Sequence, residues 1–204
     1  MSTPKRKRLP AAERRELIER AATEVFAERG YGGAAMSEIA RRSGVSVPVL
    51  YDHFASKLDL HRRLLERTRN ELLEMWREHL FGDEPADVRF PRAIEAWAVY
   101  VEEHPYAARM FFRGDLGDPE AEAIHREVQS QARVALGVLL GHEPGAENLA
   151  GEDQEGLEMA AEILRAGLTG LAIWWSDHPH VPRERIVRAV LNVVWVGLER
   201  ARKT

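Results

Sequence analysis

The chain has 204 residues, enough for one large or two small domains, and its 45% apolar and 30% charged content is that of a globular protein. It has no cysteine, which excludes disulfides and thiolate metal sites. The net charge of −4 conceals an asymmetry: residues 1–60 hold 11 Lys/Arg against 8 Asp/Glu and the rest hold 18 against 25, the layout expected if only a basic head meets phosphate.

The chain opens with a basic arm, residues 1–10, containing Lys5-Arg6-Lys7-Arg8. Such an arm can enter a DNA minor groove or stay a solvated tip. A first helix is expected from about Ala11 to Arg29, with Ile18, Ala22, Val25 and Phe26 as its buried stripe. Gly30-Tyr31-Gly32-Gly33 ends it. No strand precedes those glycines and no Gly-Lys-Ser/Thr follows, so they read as a helix stop and not a phosphate loop. A second helix spans about Met36 to Ser43, and Gly44 stops it. Val45 is an apolar plug in the turn. Ser46 is a suitable N-cap for a third helix, about Val47 to Phe54, and Pro48 suits a first turn. Ser56 and Asp59 have capping-box spacing for a fourth helix, running to about Leu80. Two short helices joined by a Gly-containing turn are a helix-turn-helix, whose second helix fits the major groove of DNA.

Ile18 to Leu65 resembles the DNA-binding domain of the TetR family of bacterial transcriptional regulators. The matching residues are Ala21, Phe26, Gly30-Tyr31, Ile39-Ala40, Gly44-Val45-Ser46, Leu50-Tyr51, His53-Phe54 and Ser56-Lys57, and the run from Val49 to Lys57 is the most specific part. The resemblance implies that Ser37, Ser46, Tyr51, His53 and Lys57 contact phosphates, while Val47, Pro48 and Val49 approach bases. Two departures stand out. Ala35 replaces a usual Thr, which weakens the second helix's N-cap by about 1 kcal/mol. Val47 and Val49 replace the usual Lys and Thr, which leaves thymine-methyl contact as the reading available to them.

Five more helices are expected: about Asp87–Glu103, His104–Arg113, Pro119–Leu140, Asp153–Ser176 and Pro182–Arg202, making an all-α chain of about nine. Residues 1–60 form the head and 61–204 a regulatory and dimerisation body. The last helix carries two apolar stripes, one from Ile186, Val190 and Val193, the other from Val187, Leu191, Val194 and Leu198. Two faces need two partners: the domain core and a second subunit, or a fully enclosing core in a monomer. Trp97, Tyr100, Met110, Phe111, His125 and Trp174 are the candidate effector-binding residues, for a largely apolar small molecule; plain core is the alternative for such an aromatic group.

No catalytic, metal or cofactor fingerprint is present. Glu122 and His125 form a single Glu-x-x-His, and His178-Pro179-His180 lacks a third ligand. No apolar run is long enough for a membrane span, and MSTPKRKRLP lacks a signal peptide's apolar core, so a cytoplasmic protein is expected. The reading adopted is a dimeric repressor that binds a palindromic double-stranded operator and is released by a small-molecule effector. A helical carrier and a helical enzyme are the alternatives; duplex binding or turnover would separate them.

Overall fold

The computed structural model describes residues 10–114, 116–142 and 154–195. The basic arm, most of the loop after residue 141 and the end of the last helix lie outside them. Nine α-helices are present among the described residues, and no strand: α1 (Ala11–Gly33), α2 (Met36–Ser43), α3 (Val47–His53), α4 (Lys57–Leu80), α5 (Ala86–Glu103), α6 (Pro105–Phe112), α7 (Pro119–Gly141), α8 (Gln154–Asp177) and α9 (Arg183–Val190). A π-helical turn, Leu191–Trp195, continues α9. No helix among the described residues is long and apolar enough to cross a membrane.

The head is built on α1. Ile18, Ala22, Val25 and Phe26 are buried as the 3.6-residue period requires. Gly30 adopts φ 68°, ψ 169°, so the regular helix breaks there and a single extra turn follows. Ala35 caps α2 by position only, with no side-chain hydrogen bond. Gly44 sits in the left-handed region at φ 72°, and the N–H of Val45 donates to the Ala40 carbonyl at 3.0 Å while that of Gly44 donates to Arg41. This is the Schellman stop, and it sets the angle between α2 and α3.

α4 runs unbroken across the boundary expected at residue 60. It packs on α1 in the head and on α5, α6 and α7 in the body. Ser56 accepts a hydrogen bond from the Asp59 N–H at 3.0 Å, and Asp59 accepts from the Ala55 N–H at 3.0 Å, which closes the capping box. Arg89 donates to the Leu80 and Glu84 carbonyls and secures the far end of α4. In the body α7 packs on α8 and α5 on α9, while α6 touches both α8 and α1. The head is therefore joined to the body by α6 as well as by α4.

The two-stripe expectation for the last helix is corrected at Val187, while the Val194 side chain and Leu198 of the same stripe lie outside the described residues. Ile186, Val187 and Val190 are all buried against the protein's own core, so Val187 is not an outer residue. Spacings of three and four residues share a helix face, so Val190 packs beside both Val187 and Ile186. The π turn then widens the helical period, and Val193, expected on one stripe with Ile186 and Val190, faces outward. The outward apolar row lies instead on α8: Met159, Ile163 (72% exposed) and Trp174, with Gly167 and Gly170 between them.

Candidate nucleic-acid interface and effector cavity

α3 is seven residues long and is held by one side. Leu50 and, just beyond the helix, Phe54 are fully buried in the head, with the Arg15 guanidinium 5.2 Å from the Phe54 ring centroid. The opposite side is free. Val47 is 36% and Tyr51 49% exposed; Pro48 is exposed and Val49 half-buried. Ser46 occupies the N-cap position with extended backbone, but its side chain makes no cap hydrogen bond, contrary to the capping expected of it. Ser37 lies exposed in the first turn of α2, and His53 is half-buried at the end of α3. Ser37, Ser46, Val47, Pro48 and Tyr51 are thus exposed on the two short helices and the turn between them, with Val49 half-buried.

Lys57 is placed differently from a free phosphate ligand. Its ammonium donates to the carbonyls of Tyr31 (2.9 Å) and Ala34 (3.2 Å) and lies 4.3 Å from the Tyr31 ring centroid. Two of its three protons therefore tie α4 to the end of α1. Arg42 is likewise engaged, with Glu28 at 2.6 Å, Glu38 at 2.8 Å and Glu24 at 4.0 Å. Its hydrogen bond holds Glu28 below the usual carboxylate range. Arg41, next to it, is exposed and has no ion pair among the described residues. The sequence reading passed over Arg41, although a basic residue in the last turn of the first short helix was the available signal.

A narrow apolar cavity lies in the body between α4, α5, α6, α7 and α8. Its volume, as the space open to the centre of a water molecule, is about 50 Å³. Of the expected effector residues only Trp97 and Phe111 line it. Leu72 and Trp76 of α4, Phe112 of α6, Leu136 of α7 and Leu168 of α8 are among its other apolar members, and Arg69, Gln129, Arg165 and Thr169 are its polar ones.

The other expected residues lie elsewhere. Trp174 is 45% exposed on the outer row of α8, with its ring stacked on His178 at 4.0 Å. Tyr100 donates its hydroxyl to Glu71 at 2.7 Å, and burial pushes its pKa upward. Met110 is buried, outside the cavity wall. His125 is buried behind the wall, donating from Nε2 to the Phe111 carbonyl at 2.8 Å; burial lowers its pKa and keeps it neutral. Gln129 donates to the same carbonyl at 2.7 Å and accepts from Arg165 at 3.3 Å. Arg165 also holds Glu162 at 2.6 Å, and Arg69 is bonded to Asn70 and Gln131. Helical spacing alone could not separate wall residues from these, since the faces depend on which helices meet.

Residues 18–64 match the profile of the bacterial regulatory proteins, tetR family. Over 197 residues the chain is 30% identical to the HTH-type transcriptional activator FasR of Mycolicibacterium smegmatis, covering 94% of this chain and 85% of that protein. Among solved structures, it is similar to the fatty acid degradation regulator FadR of Bacillus halodurans, with a TM-score of 0.74 at 19% identity over 88% of this chain and 96% of the other. It is also similar to FadR of Bacillus subtilis in complex with stearoyl-CoA, with a TM-score of 0.69 at 21% identity over 88% and 94%.

Proposed function

The chain belongs to the TetR family of bacterial regulatory proteins, and on that premise we propose that it grips operator DNA as a two-fold dimer and lets go when an acyl-chain molecule enters the body. As a family member it is a DNA-binding transcription regulator and not an enzyme. The observation that carries the DNA reading is the one-sided burial of α3: Leu50 and Phe54 anchor it while Val47, Pro48 and Tyr51 face out. A helix held this way can lie in a major groove, with Val47 and Val49 against thymine methyls and Ser37, Ser46, Tyr51, His53 and Arg41 toward phosphates. Lys57 then acts on DNA chiefly by holding α4 and α1 together, with its remaining proton available to a phosphate.

The second subunit is proposed to cover the outer row of α8, since Met159, Ile163 and Trp174 are an apolar row that its own chain leaves open. Two support the ligand class: the FadR relative named with stearoyl-CoA and the shape of the cavity. A slot this narrow suits a slender alkyl chain better than fused rings. Repression is the proposed outcome where the operator overlaps a promoter. Because a relative is named as an activator, the sign of control is proposed to lie in the operator's position and not in the fold.

Selection from a random duplex pool tests the DNA reading. The expected product is a near-palindrome with half-sites about one helical turn, roughly 34–36 Å, apart or a multiple of that. Val49→Lys should change the preferred bases while leaving the half-site spacing intact. A pool with no enriched sequence, retarded equally at every sequence, would remove operator reading from this chain.

A further inference from the structure

Outside the inner cavity, α5, α6 and the end of α8 line a second, wider and open cleft of about 410 Å³. Its walls are mostly apolar, among them Val101, Tyr106, Ala172 and Trp175. The indole N–H of Trp175 is already bonded to the Val181 carbonyl at 2.8 Å. The one carboxylate on the wall, Glu102, is bound by Arg183. That leaves Arg109, on α6, as the wall's charged group without an ion-pair partner among the described residues. Its Nε is buried with no hydrogen-bond partner.

A guanidinium that lines a mostly apolar wall with no carboxylate of its own can take an anion there without displacing a partner. The two arginines of the inner cavity offer less. Arg165 is already paired with Glu162 and bonded to Gln129, and Arg69, though without an ion pair among the described residues, spends its donors on the amide oxygens of Asn70 and Gln131. The planar, forked donor set of arginine fits a carboxylate or phosphate in particular.

The two spaces also share their helices. On α5 the wall passes from Trp97 in the inner cavity to Val101 in the outer cleft; on α6 from Phe112 to Ala108; on α8 from Leu168 to Ala172. Each step is four residues, one helical turn, so the cleft lies about 6 Å along from the cavity. Two of the three steps lead to alanine, the smallest side chain that could stand between the two spaces.

We propose that Arg109 anchors the anionic end of the effector in this outer cleft, while its alkyl chain runs past Ala108 and Ala172 into the inner cavity. The proposal rests on the acyl-chain reading above. It places the ligand along α6, the helix that also touches α1 of the DNA-binding head.

The test compares dodecanoate with its methyl ester, titrated by tryptophan fluorescence into wild type, Arg109→Gln, Arg109→Lys and Arg165→Gln. Arg109→Gln should weaken dodecanoate by about tenfold or more, the usual scale for a charge-assisted hydrogen bond. It should leave the ester unchanged, and Arg109→Lys should recover part of the loss. Arg165→Gln should change the acid and the ester alike. Wild-type binding of the acid that survives Arg109→Gln intact, or falls selectively in Arg165→Gln instead, would overturn the Arg109 assignment and leave the acyl-chain reading standing. A wild type that binds neither compound would sink both.

Discussion

Lys57 holds two backbone carbonyls and an aromatic ring, so its removal acts first on the fold. Hydrogen bonds from a charged donor contribute about 1.5–3 kcal/mol each when well buried, less at this half-buried site. Lys57→Ala is therefore expected to lower unfolding free energy by about 1–2 kcal/mol in a denaturant titration. The salt slope of DNA binding should change more in Arg41→Ala, by about one unit, than in Lys57→Ala. The reverse order would restore Lys57 as a principal phosphate ligand. His61 makes a second residue-scale point. It is 1% exposed, packed against Phe26 (4.9 Å) and Tyr31 (5.1 Å), and neither ring nitrogen has a hydrogen-bond partner. Burial is the main cause that lowers its pKa from 6.5 to about 4, with His125 and Lys57 adding to it. The unfolded chain then takes up the proton first, so this contribution is complete above pH 6.5 and is lost as pH falls toward 4. Between pH 7 and pH 5 wild type should lose about 2 kcal/mol from this group, and His61→Leu should show a flatter profile in chemical denaturation. Equal pH dependence in both proteins would mean that His61 is not neutral in the fold. The carboxylates that ion pairs hold low, Glu28 and Glu162 among them, lose their contribution at lower pH still and do not blur this window.

At the scale of elements, α8 and α9 divide the apolar surface in a way that two substitutions can distinguish. Ile163 lies on the open row of α8, and Val187 is buried against the protein's own core. Ile163→Glu should leave the fold intact and place an unpaired charge only where a second subunit would sit. Sedimentation is expected to show monomer, with operator affinity falling alongside. Val187→Glu buries the charge within one chain and should cost several kcal/mol of stability, of the order of about 3–5. An unchanged dimer in Ile163→Glu would exclude the α8 row as the interface. α6 is the other element whose role exceeds its length. Eight residues carry Phe111 and Phe112 on the inner cavity, Arg109 on the outer cleft, and a contact with α1.

For the whole molecule, the head is connected to the body along two lines. α4 is continuous through both regions, and α6 bears on α1 from the effector side; the Gly32 N–H also donates to the Leu116 carbonyl at 3.3 Å, in the loop that follows α6. The Phe111 carbonyl, held by His125 and Gln129, ties α6 to α7 and through Arg165 to α8. Five helices thus meet around one narrow space, and a ligand that widens it must move at least one of them. Packed helices shift between discrete arrangements, so a small displacement of α6 or α4 can alter the spacing of two α3 helices that must match the repeat of DNA.

The helices, their stops and the helix-turn-helix were legible because they depend on local rules. Ser56 and Asp59 form their capping box, Gly44 ends α2, and Ile18, Val25 and Leu50 are buried wherever partners come to rest. The resemblance of residues 18–65 supplied the family and the outward face of α3. Which aromatic residues line the cavity was decided only by tertiary structure. Trp97 and Trp174 both stand on apolar helices, yet one is enclosed by five helices and the other sits on the open side of α8. Periodicity gives the direction of a side chain around its own axis, and says nothing of which helix lies in that direction. The same holds for charge. Lys57, Arg42, Arg41 and Arg109 are equivalent cations in the sequence, and only the folded chain brings Tyr31 and Ala34 to the first, three carboxylates to the second and none to the other two among the described residues.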